Sequence, residues 1–145
     1  GIEIDSAGDN GILITGSNNT IENVIVHGCE DTGIQITVPD AGALDPSLGA
    51  NNSILNCDSY LNYDSLTGGE NADGFAAKLR IGAANVFRGC RAWYNADDGF
   101  DFFAADDIVI VQDSWSFLNG FLAGGTAAPV DGSTRLAIVP PVVMI

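Results

Sequence analysis

The chain has 145 residues, 19 of them Asp or Glu against 5 Lys or Arg, for a formal charge of −14. So few cations cannot line a phosphate backbone and a negative field repels one, which excludes nucleic acid and anionic membrane surfaces as expected partners; an anionic ligand must arrive through a bound cation. With 46% hydrophobic and only 17% charged residues the chain can bury a core rather than stay disordered.

The amino end, from Gly1, shows no basic, apolar and small-residue leader, and the chain reads as a mature or trimmed piece. Gly, Asn and Asp then break the sequence into short β-branched runs, which predicts many short strands instead of long helices. A polar residue, a glycine and an apolar residue recur at Asn10-Gly11-Ile12, Thr32-Gly33-Ile34, Asp73-Gly74-Phe75, Asp98-Gly99-Phe100 and Asn119-Gly120-Phe121, with glycine spacings of 22, 41, 25 and 21. A second marker precedes each later glycine: Ile21 to Val24, Ile54 to Cys57, Phe87 to Cys90 and Ile110 to Asp113. Two phased markers in one period mean a repeat whose turns become stable by stacking. The expected fold is therefore all-β: a parallel β-helix of about four to five coils, one domain over residues 1–145. The long interval holds an insertion at Pro39 to Ala50 that projects from the coil.

Stacked turns lie about 4.8 Å apart, so residues of equal phase form columns along the axis. Cys57 and Cys90 are expected in one column with Val24 beneath and Asp113 above, as small buried side chains. The three cysteines form no C-x-x-C pair and indicate neither a disulfide framework nor a zinc site. His27, the single histidine, has no acidic or nucleophilic partner at usable spacing and reads as structural. The terminal apolar run, Leu136 to Ile145, is broken by Pro140 and Pro141 and is much shorter than the roughly 20 residues of a membrane span. Residues 126–145 form an atypical tail, expected to fold over the open end of the coil or to mediate homo-oligomerisation through exposed coil ends.

The column before the phased glycines is the chemically costly one. It places Asp73 and Asp98 on neighbouring rungs, with Asp97 and Asp101 alongside. Four like charges around one turn raise each other's pKa and destabilise the fold unless a cation lies between them. Calcium suits oxygen ligands drawn from two rungs in loose geometry, whereas magnesium takes fewer protein ligands. For Asp97 and Asp98 to reach one ion the chain must bend at Asp98-Gly99, and the glycine is expected to permit that bend. The segment is not an EF-hand, because Ile108 stands where the closing glutamate belongs. The competing reading is that these acids are solvated turn residues, as Asp106 and Asp107 are taken to be.

The stretches Asn71-Ala72-Asp73-Gly74-Phe75-Ala76-Ala77-Lys78-Leu79 and Asn85 through Asp101 resemble the core signature of the family 9 polysaccharide lyases, the pectate lyase and rhamnogalacturonan lyase group. The likeness is strong from Asn71 to about Phe103 and looser from Gly11 to Asn62. It implies a right-handed parallel β-helix, a secreted or cell-envelope location, and calcium-assisted β-elimination of an acidic plant-type galacturonate polymer. The family's calcium ligands fall on Asp73, Asp97, Asp98 and Asp101. Lys78, Arg80, Arg88 and Arg91 are then candidates for binding further uronates, with salt bridging to nearby acids as the competing role, least expected for Lys78. Parity places Lys78 on the face of Asp101. The family's proton-abstracting base is a lysine one turn beyond the acids, but Leu122 stands at the matching place, which leaves Arg135 and then Lys78 as candidate catalytic bases. Three functions follow: a calcium-dependent lyase, a calcium- and polyuronate-binding module without a base, or a purely structural coil.

Overall fold

The computed structural model describes residues 1–40, 42 and 45–122, together with the backbone of 142–144. Arg135 and most of the 126–145 tail lie outside the described residues. The strands are β1 (Ile2–Asp5), β2 (Ile12–Ile14), β3 (Thr20–Glu22), β4 (Val24–His27), β5 (Ile34–Ile36), β6 (Ser53–Leu55) and β7 (Asp58–Tyr60). They continue as β8 (Phe75–Ala77), β9 (Asn85–Arg88), β10 (Arg91–Trp93), β11 (Phe100–Asp101), β12 (Val109–Gln112), β13 (Trp115–Phe117) and β14 (Val142–Met144). Up to β13 every third strand pairs in parallel with its predecessor, and β14 joins β12, giving three sheets in the orders β1-β4-β7-β10-β13, β2-β5-β8-β11 and β3-β6-β9-β12-β14. Such a closed three-sided coil of parallel strands is the expected β-helix. At the far end Val142–Met144 adds a strand to the third sheet against β12.

The core is a set of columns. Ile12, Ile34, Phe75 and Phe100 align in the second sheet, and Ile21, Ile54, Phe87 and Val111 in the third. Phe87 meets Phe75 and Phe100 edge-on, at 5.8 Å between centroids in each case. No coil has enough apolar area to stand alone, so stacking supplies the stability.

One corner explains how a coil turns on a single residue. Asn23, Asn56, Gly89 and Asp113 all sit at φ between 50° and 67°, a left-handed bend that Gly adopts freely and Asn or Asp tolerate. Because Asp113 takes the bend, Ser114 follows it into the cysteine column, and the Cys90 N–H donates to Ser114 Oγ at 3.1 Å. The residue above Cys90 is thus Ser114 and not the expected Asp113. Cys57 and Cys90 are fully buried free thiols. Burial pushes the Cys90 thiol up to about 12, which leaves no thiolate at neutral pH.

Asn119 is displaced for a related reason. It caps a side-chain ladder in which Asn62 Nδ2 donates to Asn95 Oδ1 at 2.8 Å and Asn95 Nδ2 to Asn119 Oδ1 at 2.9 Å. It therefore stands three residues ahead of the Asp98 phase. A second ladder links Asn19, Asn52 and Asn85. Both satisfy buried corner backbone that would otherwise lack partners. His27 is also less isolated than expected, since parallel stacking brings residues of the preceding coil beside it. Its Nε2 lies 3.0 Å from Glu3 Oε1 and its ring stacks on Tyr60 at 4.8 Å.

Candidate metal centre

The acids converge at the rim of the second sheet. Asp73 directly precedes the Gly74-Phe75 entry into β8, and Asp98 precedes the matching entry into β11. Gly74 N–H donates to Asp98 O at 2.9 Å and Phe75 N–H to Gly99 O at 3.0 Å, so the ladder itself fixes the two carboxylates one above the other. The turn glycines are required for space. A Cβ on Gly74 would lie 2.7 Å from both Ala92 Cβ and Asn95 Nδ2 and 2.8 Å from Gly99 O. Gly99 does not adopt a left-handed φ, and a Cβ there would meet Ser116 and Asn119. Its role is close approach, where flexibility had been expected.

Asp73, Asp97 and Asp98 each present a ligand atom within 4.8 Å of the others. The surroundings hold them in place. Asp98 N–H donates to Asp73 Oδ1 at 3.1 Å, Thr32 Oγ to Asp73 Oδ2 at 3.0 Å, and Asn71 N–H to Asp97 Oδ2 at 3.0 Å. Among the described residues, Asp98 Oδ1 is the buried side-chain atom left without a hydrogen-bond partner. A buried carboxylate oxygen with nothing to satisfy it is costly unless a cation supplies the partner. An all-oxygen donor set with this gap fits a hard divalent cation.

Asp101 sits on β11 beside the three. Its Oδ2 lies 3.0 Å from Lys78 Nζ, which is also 3.0 Å from Asp73 Oδ2, and its Oδ1 accepts from Phe103 N–H at 2.8 Å. Lys78, the cation least expected to be paired, is thus the most enclosed of the candidate cations among the described residues, at 6% exposed. The shared face of Lys78 and Asp101 is as parity requires. Arg80 pairs with Asp106 at 3.3 Å, just beyond the same sheet. Arg88 donates to Gln112 at 2.7 and 3.0 Å, and Arg91 forms a bidentate pair with Asp58. These two lie on the third and first sheets, away from the acids, because consecutive strands of a three-sided coil face different directions.

Burial pushes the Asp98 carboxyl up to about 8, reinforced by Asp73, Asp97 and Asp101 and opposed by Lys78. Burial also raises Asp97, against the Asn71 N–H. Burial alone would lower Lys78, but Asp73 and Asp101 outweigh it and hold the ammonium above the usual lysine range. Asp73 is pulled both ways: burial raises it and Lys78 lowers it. An ammonium 3.0 Å from two carboxylates keeps its proton, so the charged form of the pair prevails. Without a cation, the protonated form of Asp98 favours the folded state. That contribution is complete below about pH 4 and is lost as pH rises to about 8. The melting temperature of the chelated protein is accordingly expected to fall between pH 5 and pH 8; a flat profile would contradict the burial of Asp98.

The Pel9A-like right-handed β-helix region matches residues 1–134 of the sequence. The chain belongs to this family. It is 43% identical over 120 residues to pectate lyase L of Dickeya chrysanthemi, covering 83% of the chain and 26% of that enzyme. The crystal structure of pectate lyase Pel9A superposes with a TM-score of 0.75 at 38% identity, over 87% of this chain and 30% of that one. A rhamnogalacturonan lyase superposes at 0.66 and 36% identity, over 86% of this chain and 30% of that one. The chain thus spans between a quarter and a third of the length of these relatives. Thr32 and Asn71, which the sequence alone gave no role, orient the acid cluster. Thr32 already carried a signal, since it shares the phase of Asp73 and Asp98.

Proposed function

We propose that this chain carries the calcium-binding coils of a polysaccharide lyase that cleaves galacturonate-containing pectic polymer by β-elimination. The observation that supports the reading is the buried, unpartnered Oδ1 of Asp98, whose carboxylate clusters with those of Asp73 and Asp97. Calcium bound there supplies positive charge for a uronate carboxylate and acidifies the neighbouring C–H bond. Asp73, Asp97 and Asp98 would hold the ion, with Asp101 beside them. Thr32 and the Asn71 and Asp98 N–H groups keep the carboxylates from turning away. The net charge of −14 would otherwise repel the polymer. A polymeric substrate also fits a secreted or cell-envelope protein.

Proton abstraction needs a group able to accept. Lys78, locked as an ammonium between two carboxylates, is poorly placed for it. Arg135, outside the described residues, is the base in this proposal. A second reading, a calcium- and polyuronate-binding module that lacks the base, is favoured by Lys78: the one buried cation beside the acids among the described residues is held as an ammonium and cannot accept a proton.

Polygalacturonate incubated with the chain and calcium decides between them. The lyase reading expects unsaturated product absorbance that chelator abolishes, that Arg135→Ala lowers at least 100-fold, and that peaks at alkaline pH because guanidinium yields its proton with difficulty. Calcium-dependent retention on the polymer with no absorbance selects the module. Full turnover in Arg135→Ala removes the arginine from the mechanism.

A further inference from the structure

Lys78 remains unexplained by substrate binding or by catalysis. It follows β8 on the coil of Asp73, is 6% exposed, and reaches across to Asp101 on the next coil. Its Nζ shares Asp73 Oδ2 with the Thr32 hydroxyl, while Asp73 Oδ1 takes the Asp98 N–H. Lys78 is the ammonium that opposes the four acids from within the cluster, so an incoming divalent ion meets a site whose negative charge is already partly offset.

We propose that Lys78 is a built-in counter-ion: held between Asp73 and Asp101, it keeps the cation-free coils folded and weakens the cluster's hold on calcium. The inference rests on the metal reading above. The physical reason is twofold. A fixed ammonium beside a divalent site repels the incoming ion, and it competes for an oxygen of Asp73. Without it, two buried carboxylates would face each other across the coils with no cation between them, which is strongly destabilising. One side chain therefore acts in opposite directions on the two states, leaving a site that empties and fills reversibly.

Lys78 is thus a positioning residue, and calorimetric titration of the full chain with calcium, together with melting of the chelated form, tests it. Lys78→Met is expected to bind calcium at least tenfold more tightly than wild type and to melt lower when chelated. Lys78→Arg, which keeps the charge, should stay within about threefold of wild type. Lys78→Gln retains a donor for the two carboxylates; it serves if Lys78→Met does not fold without calcium, and the same rise is expected. Wild-type or weaker affinity in folded Lys78→Met or Lys78→Gln overturns the inference alone. A wild-type chain that takes up no calcium overturns both this inference and the metal reading.

Discussion

Asp98→Asn is expected to weaken calcium binding at least 100-fold and, in the same protein, to raise the melting temperature of the chelated form. Both shifts have one cause. Asp98 is 4% exposed, its Oδ1 has no hydrogen-bond partner, and Asp73, Asp97 and Asp101 surround it. At neutral pH the cation-free wild type must either bury that charge or fold with Asp98 protonated, its carboxyl pushed up to about 8, and a bound cation removes this cost. Asparagine has the same shape without the charge, so the cation-free fold is relieved while the ion loses a buried anionic ligand. A loss of 100-fold corresponds to about 2.7 kcal/mol, a moderate value for one anionic ligand in a shielded site. Isothermal titration and thermal melting give the two numbers. Unchanged affinity, or a chelated form less stable than wild type, would show that Asp98 is a solvated turn residue after all.

Phe87→Ala should destabilise the chain by about 4 kcal/mol, in the range found for removing a buried aromatic ring. Phe87 is completely buried and touches Phe75, Phe100 and Phe102 at centroid separations of 5.8, 5.8 and 6.2 Å. It bridges the second and third sheets, and neither Phe75 nor Phe100 can move in to close the gap, because each is fixed by parallel pairing to the coil beside it. Phe75 and Phe100 stand two residues after Asp73 and Asp98, so calcium affinity should fall as well. Denaturant unfolding measures the first effect. A loss below about 1 kcal/mol would mean that the core collapses around the vacancy.

The repeat was legible because its markers are chemical necessities. Glycine must precede β8 and β11, where a Cβ has no room, and the apolar residue after it must face inward. The acids were legible because Asp73 and Asp98 share that phase. What the sequence concealed was local length. Asp113 occupies a bend where the eye aligns it with Cys90, and Asn119 belongs with Asn62 and Asn95, because a coil can gain or lose residues at a corner without disturbing its strands. Partner choice was concealed as well. Lys78, Arg88 and Arg91 look alike in the sequence, yet one turns into the acid cluster and the others leave on different sheets, a distinction made by three-sided winding and not by residue type.

Consecutive amides in the asparagine ladder are 33 residues apart from Asn62 to Asn95 and 24 from Asn95 to Asn119, yet the bonds are of nearly equal length. The spine of the molecule therefore keeps its pitch while the contour between vertebrae varies. Most of the surplus lies between Asn62 and Asp73, the very stretch whose Asn71 amide steadies Asp97. Natural variation or deliberate grafting at that corner can reshape the wall of the cation pocket without re-threading the scaffold, so ligand preference and architecture can diverge independently.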